Sequence, residues 1–310
     1  MQTLTSSPAI ASQTAEQLAQ TSHSVWQDAM LLGKPRITVM VMMTVAVGFL
    51  FAPAGTSQWL LMVHALCGVG LVAASSGILN QAWERETDAL MRRTQKRPIS
   101  TGRLSPSLGY AIGISFCLLG TLWLLLAVNT LTAMLGFLTV VLYVCVYTPL
   151  KRVTAWNTFI GAIPGAMPPL LGYAAAANAL PLEAWIMAAL LFLWQFPHFF
   201  AIAWMYRDDY AQGGLVMVST IDRRAGKFTG DLTLATAVIL VAFSLVPFYA
   251  GWMGYWYLAG SMFFGGIFCW AAFCFLQSPC RLTARQTLWA SLLYLPPMFL
   301  LMLFDGPKVW

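Results

Sequence analysis

WLLMVHALCGVGLVAASSGILNQAWERETDALMRRTQKRP, residues 59–98, changes character once. Trp59 to Asn80 contains no Asp, Glu, Lys or Arg, whereas Glu84 to Arg97 alternates carboxylates with Arg and Lys. An apolar run of that length crosses a bilayer as one helix, and the charged segment marks its exit. The same pattern recurs along the chain, with apolar runs near 36–53, 59–80, 108–128, 131–148, 155–176, 184–205, 232–250, 255–276 and 286–304. The expectation is an all-α polytopic membrane protein of nine transmembrane helices surrounding a central cavity. Composition points the same way: 59% of the 310 residues are hydrophobic and 9% charged, against ~25% charged in a soluble domain. A water-soluble globule is excluded.

Sorting the basic residues by loop orients the spans. With nine spans, 16 of the 17 Lys and Arg fall on one face, Lys308 being the exception. The positive-inside bias puts that face and the N-terminus in the cytoplasm, and the C-terminus outside. The net charge of +6 is thereby an orientation signal, which leaves no reason to expect a nucleic-acid partner. Residues 1–33 read as a polar cytosolic tail and 34–310 as one transmembrane domain. His23, in that tail, and His64, near the outer start of the second span, carry no functional expectation. The six cysteines form no C-x-x-C pair and read as apolar packing residues.

The acids are as asymmetric as the bases. Two long cytoplasmic loops, about 83–107 and 206–230, open with acids and continue into basic residues. They lie four helices apart in the same orientation, which suggests two parallel helical repeats facing one site. Asn80, Glu84 and Asp88 are spaced i, i+4, i+8, so a continuous helix carries three oxygen-bearing side chains down one face. Such a face suits Mg²⁺, which takes a few carboxylate oxygens and completes its shell with water and phosphate. A solvated helix end paired with Arg85, Arg92 and Arg93 is the plainer alternative. Asp208 and Asp209 form the second cluster, and Arg93, Arg97, Arg103, Lys151 and Arg152 surround the two. Carboxylates plus bases describe a site for metal ions and a diphosphate; for any single base, obedience to the orientation rule is the competing explanation.

Asn80-Gln81-Ala82-Trp83-Glu84-Arg85-Glu86-Thr87-Asp88 resembles the first acidic motif, N-x-x-x-D-x-x-x-D, of the intramembrane UbiA-type prenyltransferases, with Glu84 where Asp is usual. Further segments are similar to the heme-farnesylating branch, the protoheme IX farnesyltransferase family: Gly33-Lys34-Pro35-Arg36, Tyr147-Thr148-Pro149-Leu150-Lys151-Arg152, Gly165-Ala166-Met167-Pro168-Pro169-Leu170, and Trp194-Gln195-Phe196-Pro197-His198-Phe199 followed by Asp208-Asp209-Tyr210. The second motif departs from D-x-x-x-D, since Gln212 and Gly213 stand four residues after the two aspartates.

The resemblance implies transfer of a farnesyl group from farnesyl diphosphate to a vinyl group of heme B, giving heme O for terminal oxidases. It implies Asn80, Glu84, Asp88, Asp208 and Asp209 as catalytic residues. Asn80, Glu84, Asp88 and Asp209 would hold Mg²⁺, and His198 and Gln195 would contact heme. It also implies a bacterial cytoplasmic membrane and, as candidate partners, heme A synthase or oxidase-assembly proteins. On an unbroken helix, the 11 residues from His198 to Asp209 amount to ~16 Å of rise and nearly whole turns, leaving both side chains on one face. Two other classes share some of these features. A quinone-precursor prenyltransferase needs the acids but not Gln195-Phe196-Pro197-His198, and a transporter would carry ionisable residues nearer the midplane.

Overall fold

The computed structural model describes residues 25–53 and 55–306; residues 1–24, with His23, and Lys308 lie outside them. The helices are α1 (Val25–Leu32), α2 (Pro35–Phe51), α3 (Trp59–Trp83), α4 (Arg85–Leu90), α5 (Pro106–Ala127), α6 (Thr130–Val141), α7 (Asn157–Gly165), α8 (Met167–Ala177), α9 (Leu182–Met205), α10 (Arg207–Gln212), α11 (Val218–Ile221), α12 (Lys227–Ser244), α13 (Val246–Tyr249), α14 (Tyr255–Gln277) and α15 (Arg281–Asp305). No strand occurs among the described residues. Among the described residues, eight stretches are long and apolar enough to cross a membrane: 59–83, 106–127, 130–150, 157–177, 182–205, 227–249, 255–277 and 281–305. The ninth expected span is α2, apolar but 17 residues long. The chain is a multi-pass membrane protein.

Local chemistry sets the ends. Pro35 and Pro106 open α2 and α5 where no backbone N–H is needed. The break between α5 and α6 is a single residue pair, and Asn129 makes it: its Oδ1 accepts from Thr132 N (2.8 Å) and its Nδ2 donates to Ala174 O (2.8 Å), capping one helix while binding another. Beyond Val141 the helix loosens into a π turn over Leu142–Tyr147 before Thr148–Leu150 closes it. Pro164 and Pro168 flank the break at Ala166 between α7 and α8.

The helices fall into two groups. In the first, α3 packs along α5 and α2 along α8; in the second, α9 packs on α12 and α15, and α14 on both of these. α2 and α8 meet backbone to backbone, since a Cβ on Gly48 would sit 2.2 Å from Pro169 O and one on Gly172 2.0 Å from Val45 O. The spans 157–177 and 182–205 form the centre: 67% and 72% of their most apolar windows are buried, against 22–39% in the other six. Their outer neighbours leave Leu, Trp and Phe side chains exposed, as a lipid-facing surface requires.

The two groups share one device. α3 ends at Trp83 and, after the single non-helical residue Glu84 (φ −88°, ψ 11°), continues as the six-residue α4. α9 ends at Met205 and, after Tyr206 (φ −116°, ψ 22°), continues as the six-residue α10. Each short helix begins with Arg and carries two acids, Glu86 and Asp88 in α4 and Asp208 and Asp209 in α10, which gives the expected repeat a physical form. Residues 25–32, assigned by sequence to the tail, form α1. It lies across the loop that follows α4, with Leu32 packed on Ile78, Ala82 and Ile99 and its backbone O accepting from Gln81 Nε2 (2.7 Å).

Candidate active site at the two hinge helices

The hinge after α3 buries the first acidic motif. Asn80 is 2% exposed, Glu84 9% and Asp88 1%, and carboxylates this deep require partners. Asn80 Oδ1 accepts from Lys34 Nζ (3.0 Å), while its Nδ2 donates to Glu84 Oε2 (2.8 Å) and Thr148 Oγ1 (3.2 Å). A cation on one side and a carboxylate on the other leave only one orientation of the amide. Lys151 Nζ lies 2.9 Å from Glu84 Oε1 and 4.5 Å from the centre of the Tyr147 ring. Asp88 Oδ2 accepts from Arg97, and Thr94 Oγ1 binds Asp88 O (2.9 Å).

Lys34 and the π turn complete this arrangement, and sequence reasoning assigned neither to the site. Lys34 is left-handed (φ 46°), which turns the chain from α1 into α2 and directs the amine at Asn80. Burial, reinforced by Arg97 and Lys151, pushes that amine down to about 7. The π turn brings Tyr147, Thr148 and Lys151 to the same point, with Thr148 Oγ1 also donating to Tyr143 O (2.9 Å). Single π turns mark functional sites often enough to be a signal, but sequence does not reveal them. The i, i+4 spacing of Tyr147 and Lys151 was the visible trace. Burial works against the Lys151 ammonium, but Tyr147 and Glu84 outweigh it and hold the amine above its ordinary value. Burial raises the Asp88 carboxyl, with Arg97 opposing.

The hinge after α9 brings α10 and the loop after it against α4 and the segment that follows. Tyr210, Leu215 and Met217 pack with Met91, and a Cβ on Gly213 would sit 3.0 Å from Met91 and 3.2 Å from Thr87. Asp209 Oδ2 accepts from the backbone N of Arg93 (3.3 Å), whose guanidinium lies over the Tyr206 and Tyr210 rings at 5.1 and 5.7 Å. Asp208 turns away: it is exposed, lies 3.5 Å from Arg207, and lines an outer cavity of about 460 Å³ with Trp204, Ser219 and Asp222. The geometry separates the two aspartates and turns Asp209 toward the segment that follows the first motif.

The remaining expected site residues make contacts or face solvent outside this cluster. The guanidinium of Arg103 forks onto Asp28 of α1 (Nε–Oδ2 2.9 Å, Nη2–Oδ1 2.9 Å). Arg152 is exposed beside Lys151. Gln195 is 3% exposed and donates Nε2 to Ala162 O (3.0 Å) and Leu191 O (3.3 Å). Its Oε1 lies where a Gly165 Cβ would come within 2.0 Å, so it seats α7 on α9. The helix from His198 to Asp209 breaks at Tyr206, and the depth and shared face estimated for an unbroken helix do not carry across it. His198 is partly buried, bonded through Nδ1 to Ser291 Oγ (2.7 Å) and stacked on Trp194 (4.4 Å, 25°).

Among the described residues, no three His, Cys, Asp or Glu converge as a metal cage. Two buried acceptors nevertheless have no hydrogen-bond donor, Asp88 Oδ1 and Glu84 Oε1; the latter has only its ion pair with Lys151. One or two carboxylates with open oxygens, flanked by bases, suit Mg²⁺ bound together with a phosphate.

The sequence pattern described as the UbiA prenyltransferase family matches residues 41–303. A protoheme IX farnesyltransferase of Solibacter usitatus is 40% identical over 290 residues, covering 91% of this chain and 99% of its own. One from Koribacter versatilis is 39% identical, covering 91% and 94%. Among solved structures, digeranylgeranylglyceryl phosphate synthase superposes with a TM-score of 0.75 at 16% identity, over 90% of this chain and 98% of its own. A UbiA homolog from Archaeoglobus fulgidus, bound to GPP and Mg²⁺, superposes at 0.59 and 15% identity, over 89% and 99%.

Proposed function

The chain belongs to the UbiA prenyltransferase family, and from that premise we propose that it transfers the farnesyl group of farnesyl diphosphate to a vinyl group of heme B, with addition of water, to give heme O and diphosphate. Relatives at 39–40% identity over nearly their whole length carry the name of that reaction. The observation that carries the chemistry is the convergence of buried Asn80, Glu84 and Asp88 with Lys34, Arg97 and Lys151, next to Asp209 and Arg93.

Lys34, Lys151, Arg93 and Arg97 bind the diphosphate oxygens in exchange for their present partners Asn80, Glu84, Tyr210 and Asp88. The carboxylates they release, Glu84 and Asp88, with Asn80 and Asp209, hold Mg²⁺, which supplies compensating positive charge to the leaving group. As charge accumulates on the departing diphosphate, the bases stabilise it and the allylic C–O bond ionises. The terminal vinyl carbon of heme B attacks the allylic carbon, water adds to the resulting cation beside the porphyrin, and a proton leaves. Tyr147, with its ring under Lys151, and the apolar side chains of α8 and α9 shield the reactive cation from premature capture by water. His198 is assigned to the heme iron. The excess of Lys and Arg on one set of loops supports a site toward the cytoplasmic face with the C-terminus outside, and the proposed reaction supports a bacterial inner membrane, with oxidase-assembly proteins or heme A synthase as recipients of the product.

Purified protein incubated with labelled farnesyl diphosphate, Mg²⁺ and equal heme B and 4-hydroxybenzoate tests the choice of acceptor. Label in the heme fraction alone is expected. Label in the benzoate would make the enzyme a quinone-precursor prenyltransferase, and label in neither would remove the assignment.

A further inference from the structure

Ser291 of α15 is fully buried and faces His198 of α9, Nδ1 to Oγ 2.7 Å. Either atom of that pair could donate, and a second contact decides between them. Ser291 Oγ lies 2.6 Å from the backbone O of Leu288. A carbonyl oxygen only accepts, and a hydroxyl has one proton to give. Were that proton aimed at His198, two oxygens would face each other at 2.6 Å with lone pairs opposed. The proton therefore goes to Leu288 O, and Ser291 Oγ is left to accept Nδ1–H from His198. An uncharged imidazole, the form favoured within a span, then has its lone pair on Nε2.

The ring is held in a second way at the same place. Trp194, one turn earlier on α9, stacks on the imidazole at 4.4 Å and 25°, and its Nε1–H donates to the backbone O of Ser291 (2.7 Å). Ser291 thus receives two bonds from α9, one that orients the stacking indole and one that orients the imidazole. Second-layer hydrogen bonds of this kind select the tautomer of a metal-binding histidine and raise its basicity.

We propose that Ser291 is a positioning residue that fixes His198 as the Nδ1–H tautomer and presents a bare Nε2 to the iron of the heme substrate; the second half rests on the assignment of His198 to heme made above. Leu288 O is what makes the serine an acceptor. A serine without that contact would bind either tautomer.

The test separates the two halves. The chain has three histidines, so nitrogen-15 histidine spectra of the full-length protein in micelles, at a pH where imidazole is neutral and without heme, resolve His198 by its loss in His198→Ala. The expected wild-type signature is protonated Nδ1 and bare Nε2. Ser291→Ala shifts it toward the Nε2–H form that free imidazole prefers, and Ser291→Thr retains it. Protonated Nε2 in the wild type overturns the proposal whatever the variants do, so the test survives a Ser291→Ala protein that fails to fold. Heme B titration then tests the presentation to iron. Ser291→Ala lowers affinity roughly 10- to 100-fold and weakens the ferrous iron–histidine stretch, Ser291→Thr restores both, and farnesyl diphosphate binding stays unchanged. Unchanged heme affinity and spectrum in His198→Ala would remove the assignment on which that half rests, even with the tautomer as expected.

Discussion

Asp88→Asn separates the charge of the central carboxylate from its shape. The side chain of Asp88 is 1% exposed and that of Arg97 23%, so their pair is only partly screened. Removing one partner of a buried pair outright costs ~3–5 kcal/mol, but Asn keeps a carbonyl oxygen for Arg97. What is lost is the charge assistance, ~1 kcal/mol. The new amide nitrogen also takes the place of Asp88 Oδ1, a buried atom with no hydrogen-bond partner, at a cost of ~1–3 kcal/mol. Relief from burying a charge offsets part of this, leaving a stability loss of about 1–2 kcal/mol and a protein that inserts and folds. Turnover should fall much further, ~10²–10³-fold, since the charge acts on a transition state in which diphosphate departs. The assay is single-turnover formation of heme O at saturating substrate, beside thermal unfolding of the same preparation. Turnover within tenfold of wild type, or lost only in proportion to unfolded protein, would refute the role given to Asp88.

Lys34→Met removes an amine whose value is pushed down to about 7. A base lowered from 10.5 contributes stability that is present above 10.5 and lost as pH falls toward 7, so with chelator present the wild type should gain thermal stability from pH 7 to pH 9 relative to the variant; parallel curves would contradict this. Arg103→Ala should leave Asp28 unpaired and free α1 from the loop that carries residue 103, raising protease cleavage near residues 25–32 while the KM for farnesyl diphosphate changes less than threefold; a tenfold rise would return Arg103 to the diphosphate site. A periplasmic reporter fused at the C-terminus should be active and one fused near Thr101 inactive, and the reverse pattern would turn the site to the other face.

The spans were legible because the membrane leaves no other use for runs such as 59–80, and the loop charges fixed their alternation without any knowledge of packing. The acidic motifs were legible for the related reason that buried charge is expensive. What escaped depends on partners distant in sequence. Arg103 looks like its basic neighbours until Asp28, 75 residues away, claims it. Lys34 reads as an orientation charge until a left-handed turn aims it at Asn80. Gln195 looks like a ligand in a distinctive motif, but its amide is consumed by Ala162 O, 33 residues earlier. The break at Tyr206 has no proline or glycine to announce it, and it undid the estimate of depth from His198 to Asp209. Asp208 and Asp209 were indistinguishable as neighbours until α10 turned one toward Arg93 and the other outward.

In the proposed reaction heme B gains a farnesyl group and a hydroxyl derived from water. Mass spectrometry of the heme fraction, after incubation with farnesyl diphosphate and Mg²⁺ in oxygen-18 water, tests it in one measurement. The expected product is heavier than heme B by one farnesyl group and one hydroxyl bearing the heavy oxygen, accompanied by equimolar diphosphate. Diphosphate released with unmodified heme and labelled farnesol would contradict it, because the allylic cation would then have been captured by water instead of the vinyl group.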